Sequence, residues 1–210
     1  MTNERDGQSA FSGELESKPN GKTSFLKVLL IFGGIMLLGT LILVWLGAPQ
    51  ASQAIGQRLP PIDLSPLLNV EVAPKNDDLH GKIALLHFWG TWCPPCKLEF
   101  PEFVELSEKF IDQPELVIVS VSCSGGPEYD LEELKSETES YLRDIAPGMK
   151  TYSDPAGMTR GSLAMLLSGG TFGYPTTVLV DRDGNLAEVL QGYREGEMLK
   201  LEQRIKNMLK

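Results

Sequence analysis

Phe88-Trp89-Gly90-Thr91-Trp92-Cys93-Pro94-Pro95-Cys96-Lys97 decides how the rest of the chain is read. It joins the end of an apolar run, Ile83 to Trp89, to the start of a helical pattern that continues from Cys93 to about Phe110. Two thiols three positions apart at a helix start can close and reopen a disulfide. The first lies where free N–H groups and the helix dipole stabilise a thiolate. A structural zinc site needs about four ligands. Beyond this pair the chain offers only Cys123, His80 and His87, with no second Cys-x-x-Cys. The pair therefore points to redox chemistry ahead of a metal site or an inert pair, with no cofactor besides the Cys93–Cys96 couple.

Outward from that stretch the pattern alternates. Ile83 to Trp89 and Leu116 to Val121 are continuous apolar runs, as expected of strands covered on both faces. Phe100, Phe103, Val104 and Phe110 recur at helical spacing, and Pro101 inside that helix removes a bond to the Lys97 carbonyl. Leu131 to Ile145 reads as an amphipathic helix whose Glu132, Glu133, Lys135 and Glu137 form a solvated face, stopped by Pro147-Gly148. Further on, the sequence predicts a short strand at Lys150–Tyr152 and a helix over Met158–Leu167. A strand at Thr176–Val180 should turn at Asp183-Gly184 into Ala187–Leu190, and Glu195–Leu209 should form a closing helix. Before the first strand, 62–82 predicts a hairpin or irregular addition with a weak strand at Asn69–Val72. The order is that of an α/β fold with a central mixed sheet flanked by helices.

The N-terminal quarter has another composition. Residues 1–24 are polar and predict a disordered tail. Phe25 to Leu46 is apolar except for Lys27 and Thr40. As a helix it would span about 33 Å, enough for a bilayer. It is longer than the apolar region of about 7–15 residues in a cleaved signal peptide, although Ser52-Gln53-Ala54 resembles a cleavage site. Lys18, Lys22 and Lys27 precede its core and no Lys or Arg follows until Arg58. That asymmetry predicts a single-pass anchor over 25–46, with the N-terminus in the cytoplasm and the rest outside it. Residues 47–61 read as a linker, and 62–210 as the folded domain. The net charge of −9 lies wholly beyond the anchor, since residues 1–47 balance Arg5, Lys18, Lys22 and Lys27 against Glu4, Asp6, Glu14 and Glu16. An acidic domain argues against nucleic acid as a partner.

Over roughly 58–210 the chain resembles the thioredoxin-like superfamily, and within it the membrane-anchored TlpA/ResA-like thiol-disulfide oxidoreductases. Phe88 to Cys96 matches the active-site motif and Glu99-Phe100-Pro101 the segment after it. Gly173-Tyr174-Pro175-Thr176-Thr177 matches the cis-proline loop, and Val180 to Gly184 the hairpin beyond it. The resemblance implies that Pro175 is cis and faces the disulfide, and that the backbone at Tyr174 pairs with a bound substrate chain. It implies a buried Glu99 assisting proton movement beside Cys93 and Cys96, where the simpler alternative is a surface carboxylate. Trp92, with Pro94 and Pro95, would form an apolar docking surface. His87 departs from the pattern, standing where thioredoxins have a buried aspartate; it is either a core histidine or a proton relay. Cys123, at the end of a strand, is expected to be an unreactive, partly buried thiol.

An anchored member of this family would be a reductant. It would take electrons from a membrane transporter of the DsbD/CcdA type and serve apocytochrome c or other exported proteins. Pro94 and Pro95 lack N–H groups, which leaves the Cys96 amide as the nearest backbone donor to a Cys93 thiolate. An oxidase or isomerase on the same fold is the main alternative. A thiol peroxidase would have Thr where Gly90 stands, and a Sco-type copper chaperone has more widely spaced cysteines.

Overall fold

The computed structural model describes residues 21–47, 54–126 and 130–210, and within the first of these the side chains of 27–40. The chain divides into two units, Met1–Gln50 and Ala51–Lys210. The first contains a helix, α1 (Gly21–Gly47), which includes the expected apolar stretch 25–46. Residues 1–20 of the predicted tail lie outside the described residues. Among the described residues no helix is long and apolar enough to cross a membrane.

The second unit is an α/β domain. In chain order it contains β1 (Ser65–Leu68), α2 (Asn76–Leu79), β2 (Ile83–Trp89), α3 (Pro94–Lys109), β3 (Leu116–Ser122) and α4 (Leu131–Leu142). There follow β4 (Thr151–Ser153), α5 (Met158–Ala164), β5 (Thr176–Val180), β6 (Leu186–Gln191) and α6 (Glu197–Met208). One six-stranded sheet runs in the order β1-β4-β3-β2-β5-β6. β2, β3 and β4 are parallel, and β1, β5 and β6 join antiparallel.

All seven residues of β2 are buried, because the strand divides between two cores. Ala84, Leu86 and Phe88 pack with Leu163 of α5, Leu79 of α2 and Leu59. Ile83, Leu85 and Trp89 pack with Phe100, Phe103 and Val104 of α3 and Leu201 and Ile205 of α6. Each such large apolar side chain contributes on the order of 1.5–3 kcal/mol by leaving water. β2 is thus a fixed rail, and its C-terminal end delivers the Cys-x-x-Cys stretch.

Four expectations change. The strand predicted at Asn69–Val72 lies earlier, at Ser65–Leu68. Asn69 has φ 57 and ends it, its amide donating to the carbonyls of Pro147 and Met149. Pro66 is tolerated because β1 is an edge strand. The linker predicted over 47–61 is not uniform: 48–53 lie outside the described residues, whereas Ala54 and Leu59 are buried in the domain. Backbone bonds from Gly56 to Leu186, Leu186 to Gln57 and Leu59 to Gly184 fasten this segment to the β5–β6 hairpin. The helix predicted to Ile145 ends at Leu142, where Ile145 and Ala146 both turn back to the Leu142 carbonyl. The helix predicted from Met158 to Leu167 ends at Ala164, followed by turns from Leu166 and Leu167 back to Leu163 and Ala164.

Candidate active site

Cys93 is the N-cap of α3, and Pro94 and Pro95 occupy the first helical positions. Proline suits that place: its φ is already helical and its missing N–H would have had no intrahelical acceptor. Cys93 and Cys96 form a disulfide with Cα atoms 5.2 Å apart. The Cys96 amide donates to Cys93 Sγ at 3.2 Å, the one donor left by the two prolines. In this oxidised form Cys93 is only 3% exposed and Cys96 is fully buried. Trp92, Pro94, Pro95 and Leu98 beside them are exposed and apolar, and Lys97 is the exposed charge among them.

Trp92 is held rather than loose. Its Nε1 donates to the Cys123 carbonyl at 2.9 Å, and its ring meets Tyr174 edge-on at 5.2 Å. Tyr174 precedes Pro175 through a cis peptide bond, as the resemblance implied, and packs on the same apolar cluster as the two cysteines. Sequence reasoning missed what anchors Tyr174. Its hydroxyl accepts from Arg160 Nη1, and Arg160 Nε donates to the buried Asp154 carboxylate at 2.9 Å. Asp154 also accepts from the amides of Thr159 and Arg160, fixing the start of α5. An Asp five and six residues before Thr159 and Arg160 was the only sequence signal for it. Cys123 is buried, and desolvation pushes its thiol up to about 12, so it is neutral and inert at physiological pH.

Two glycines make room for Trp92. A Cβ on Gly90 would meet Trp92 Nε1 and stand 2.8 Å from the Cys123 carbonyl, and one on Gly125 would stand 2.6 Å from Trp92 Cγ. Gly90→Ala should therefore expel the indole and cost about 1–3 kcal/mol. Denaturant unfolding and tryptophan emission would show this; an unchanged midpoint and spectrum would contradict the cradle.

Glu99 lies one turn beyond Cys96 on the buried stripe of α3 and is 3% exposed, so the surface-carboxylate alternative fails. Burial raises its carboxyl to about 7. A hydrogen bond from Thr177 works the other way, and Glu102 and Glu197 push it further up. Thr177 Oγ1 donates to Glu99 Oε1 at 3.3 Å and lies 2.9 Å from His87 Nδ1. His87 is fully buried and stacks on Phe103 at 4.0 Å. Desolvation holds its ring near 3, so it is neutral, and its 3.5 Å approach to Glu99 is not an ion pair. Among the described residues no cluster of three or more His, Cys, Asp or Glu is placed to hold a metal.

The AhpC/TSA family matches residues 55–189. The chain belongs to that family. Among its relatives the thiol:disulfide interchange protein DsbE of Pseudomonas aeruginosa is 29% identical over 169 residues, covering 79% of this chain and 84% of that one. The thiol-disulfide oxidoreductase ResA of Bacillus anthracis is 28% identical over 155 residues, covering 72% and 78%. A solved structure of a thiol:disulfide interchange protein DsbE from Chlorobium tepidum superposes with a TM-score of 0.58 at 24% identity, covering 74% of this chain and 98% of the other. That likeness shows the fold, which is thioredoxin-like. Within the family, the cis-proline loop and the Cys-x-x-Cys at the start of α3 are the parts of this chain that bear on its chemistry.

Proposed function

We propose that the chain is an extracytoplasmic, membrane-anchored thiol-disulfide oxidoreductase that reduces disulfides of exported proteins. The observation that carries the reaction type is the Cys93–Cys96 disulfide at the start of α3, with a buried carboxylate one turn further on. The names of the DsbE and ResA relatives support it. In the reduced protein, Cys93 thiolate attacks a partner disulfide and forms a mixed disulfide, releasing one partner thiolate that takes a proton from solvent. Cys96 gives its proton to the Glu99 carboxylate and attacks Cys93 Sγ. The second partner thiolate leaves and takes up one proton, Glu99 returns to solvent the proton it accepted from Cys96, and Cys93–Cys96 closes. The partner has gained two electrons and two protons. Trp92, Pro94, Pro95 and the Tyr174–Pro175 loop supply the docking surface.

The direction and the place rest on sequence. Lys18, Lys22 and Lys27 before the apolar stretch support an outward-facing domain. The resemblance supports a DsbD/CcdA-type donor and apocytochrome c as one substrate. An oxidase or isomerase would use the same geometry in reverse. A thiol peroxidase is disfavoured by Gly90, because the cradle around Trp92 leaves no space for a threonine there. A copper chaperone is disfavoured by the short cysteine spacing.

The test is done in cells. Cys96→Ser should accumulate mixed disulfides with exported proteins, and protease added to spheroplasts should digest the domain. Full protection of the domain, or trapped partners confined to cytoplasmic proteins, would contradict the proposal.

A further inference from the structure

We propose that His87 is a positioning residue for the proton-accepting carboxylate: its Nδ1–H commits the single hydroxyl proton of Thr177 to Glu99. This rests on the role given to Glu99 above and adds a residue that departs from the family pattern. Antiparallel pairing of β2 with β5 sets His87 directly opposite Thr177, and α3 brings Glu99 over the pair.

Counting protons fixes the ring. Thr177 donates to Glu99 Oε1, so its oxygen can only accept from His87 Nδ1 at 2.9 Å. The ring then carries its proton on Nδ1, and Nε2 is left as a bare lone pair. Nε2 is indeed buried with no hydrogen-bond partner among the described residues. The opposite tautomer would turn Thr177 away from Glu99 and bury an N–H with no acceptor, the rarer kind of orphan in proteins. The groups that face Glu99 are Glu102 on α3, Glu197 on α6, Tyr193 between β6 and α6, and His87 on β2. None of these is a cation at neutral pH. The Thr177 hydrogen bond is therefore the contact that favours the ionised carboxylate, and His87 polarises it.

The experiment uses the full chain in detergent, with Cys93 loaded with glutathione. Glutathione release by Cys96 is followed against pH, alongside nitrogen NMR of the His87 ring. The wild type should show the Nδ1–H tautomer. His87→Phe keeps the stack on Phe103 but lacks the donor, and should move the inflection of the release rate up by about half to one pH unit. Thr177→Val should do the same, and the double variant should move it no further. A ring protonated on Nε2, or an unmoved inflection in His87→Phe while Glu99→Gln abolishes it, would reduce His87 to packing and overturn the proposal. An inflection that survives Glu99→Gln would overturn the acceptor role of Glu99 and, with it, the part given to His87. The tautomer is read on the wild type, so a variant that fails to fold leaves the proposal testable.

Discussion

Cys93→Ser should bring insulin-disulfide reduction down to the uncatalysed rate, while Cys96→Ser should keep the first attack and stall as a mixed disulfide. The two thiols differ because only Cys93 sits at the N-cap of α3, where the Cys96 amide and the helix dipole favour its thiolate. Cys96 is fully buried and is bonded to the sulfur three residues before it. Insulin turbidity measures the first step and mass spectrometry of trapped adducts the second. Alkylation of Cys96 ahead of Cys93 in the reduced protein would reverse the assignment. Cys123→Ser should leave most of the activity, since burial keeps that thiol protonated.

Glu99→Gln should have two effects of opposite sign. The carboxyl titrates near 7 in the folded chain, against 4.5 when free of the fold. A group raised in this way binds more protons folded than unfolded between those values. Its stabilising contribution is complete below about pH 4.5 and is lost as pH rises through 7. The loss at pH 8 is about 3 kcal/mol. Relative to wild type, Glu99→Gln should therefore gain stability with rising pH, by up to that amount at pH 8. Turnover should fall by about 10²-fold near neutral pH, the lower end of what a positioned proton acceptor contributes. Denaturant midpoints at pH 4.5 and 8 and a pH–rate profile check both. A stability difference independent of pH, with an unchanged profile, would return Glu99 to a passive role.

Much of this site could be read in the sequence because it is local. Cys93, Pro94, Pro95, Cys96 and Glu99 lie within one helix start, where spacing alone sets which residues share a face. β2 and β3 were legible because strands in the middle of a parallel sheet are largely apolar on both faces. What escaped depends on contacts between distant segments. The pairing of His87 with Thr177 is a matter of strand register, which no local pattern carries. Arg160 and Asp154 look like loop charges until α5 folds back and sets them behind Tyr174. Gly90 reads as a missing threonine, and only the indole lying across it shows why a side chain is excluded. β1 was misplaced because Pro66 argues against a strand unless the strand is known to be an edge.

The reduction potential of the Cys93–Cys96 couple tests the reductase assignment most directly. With prolines at both intervening positions, a single amide faces Cys93 Sγ, so the thiolate is less stabilised than where a second donor is present. A less stabilised thiolate makes the reduced form less favoured and the potential more negative. Equilibration of the full chain with glutathione buffers, read by alkylation and mass spectrometry, should give a potential below about −200 mV, on the thioredoxin side of a scale running from about −270 to about −120 mV. A value near the upper end of that scale would contradict the reductase assignment and make the chain an oxidase.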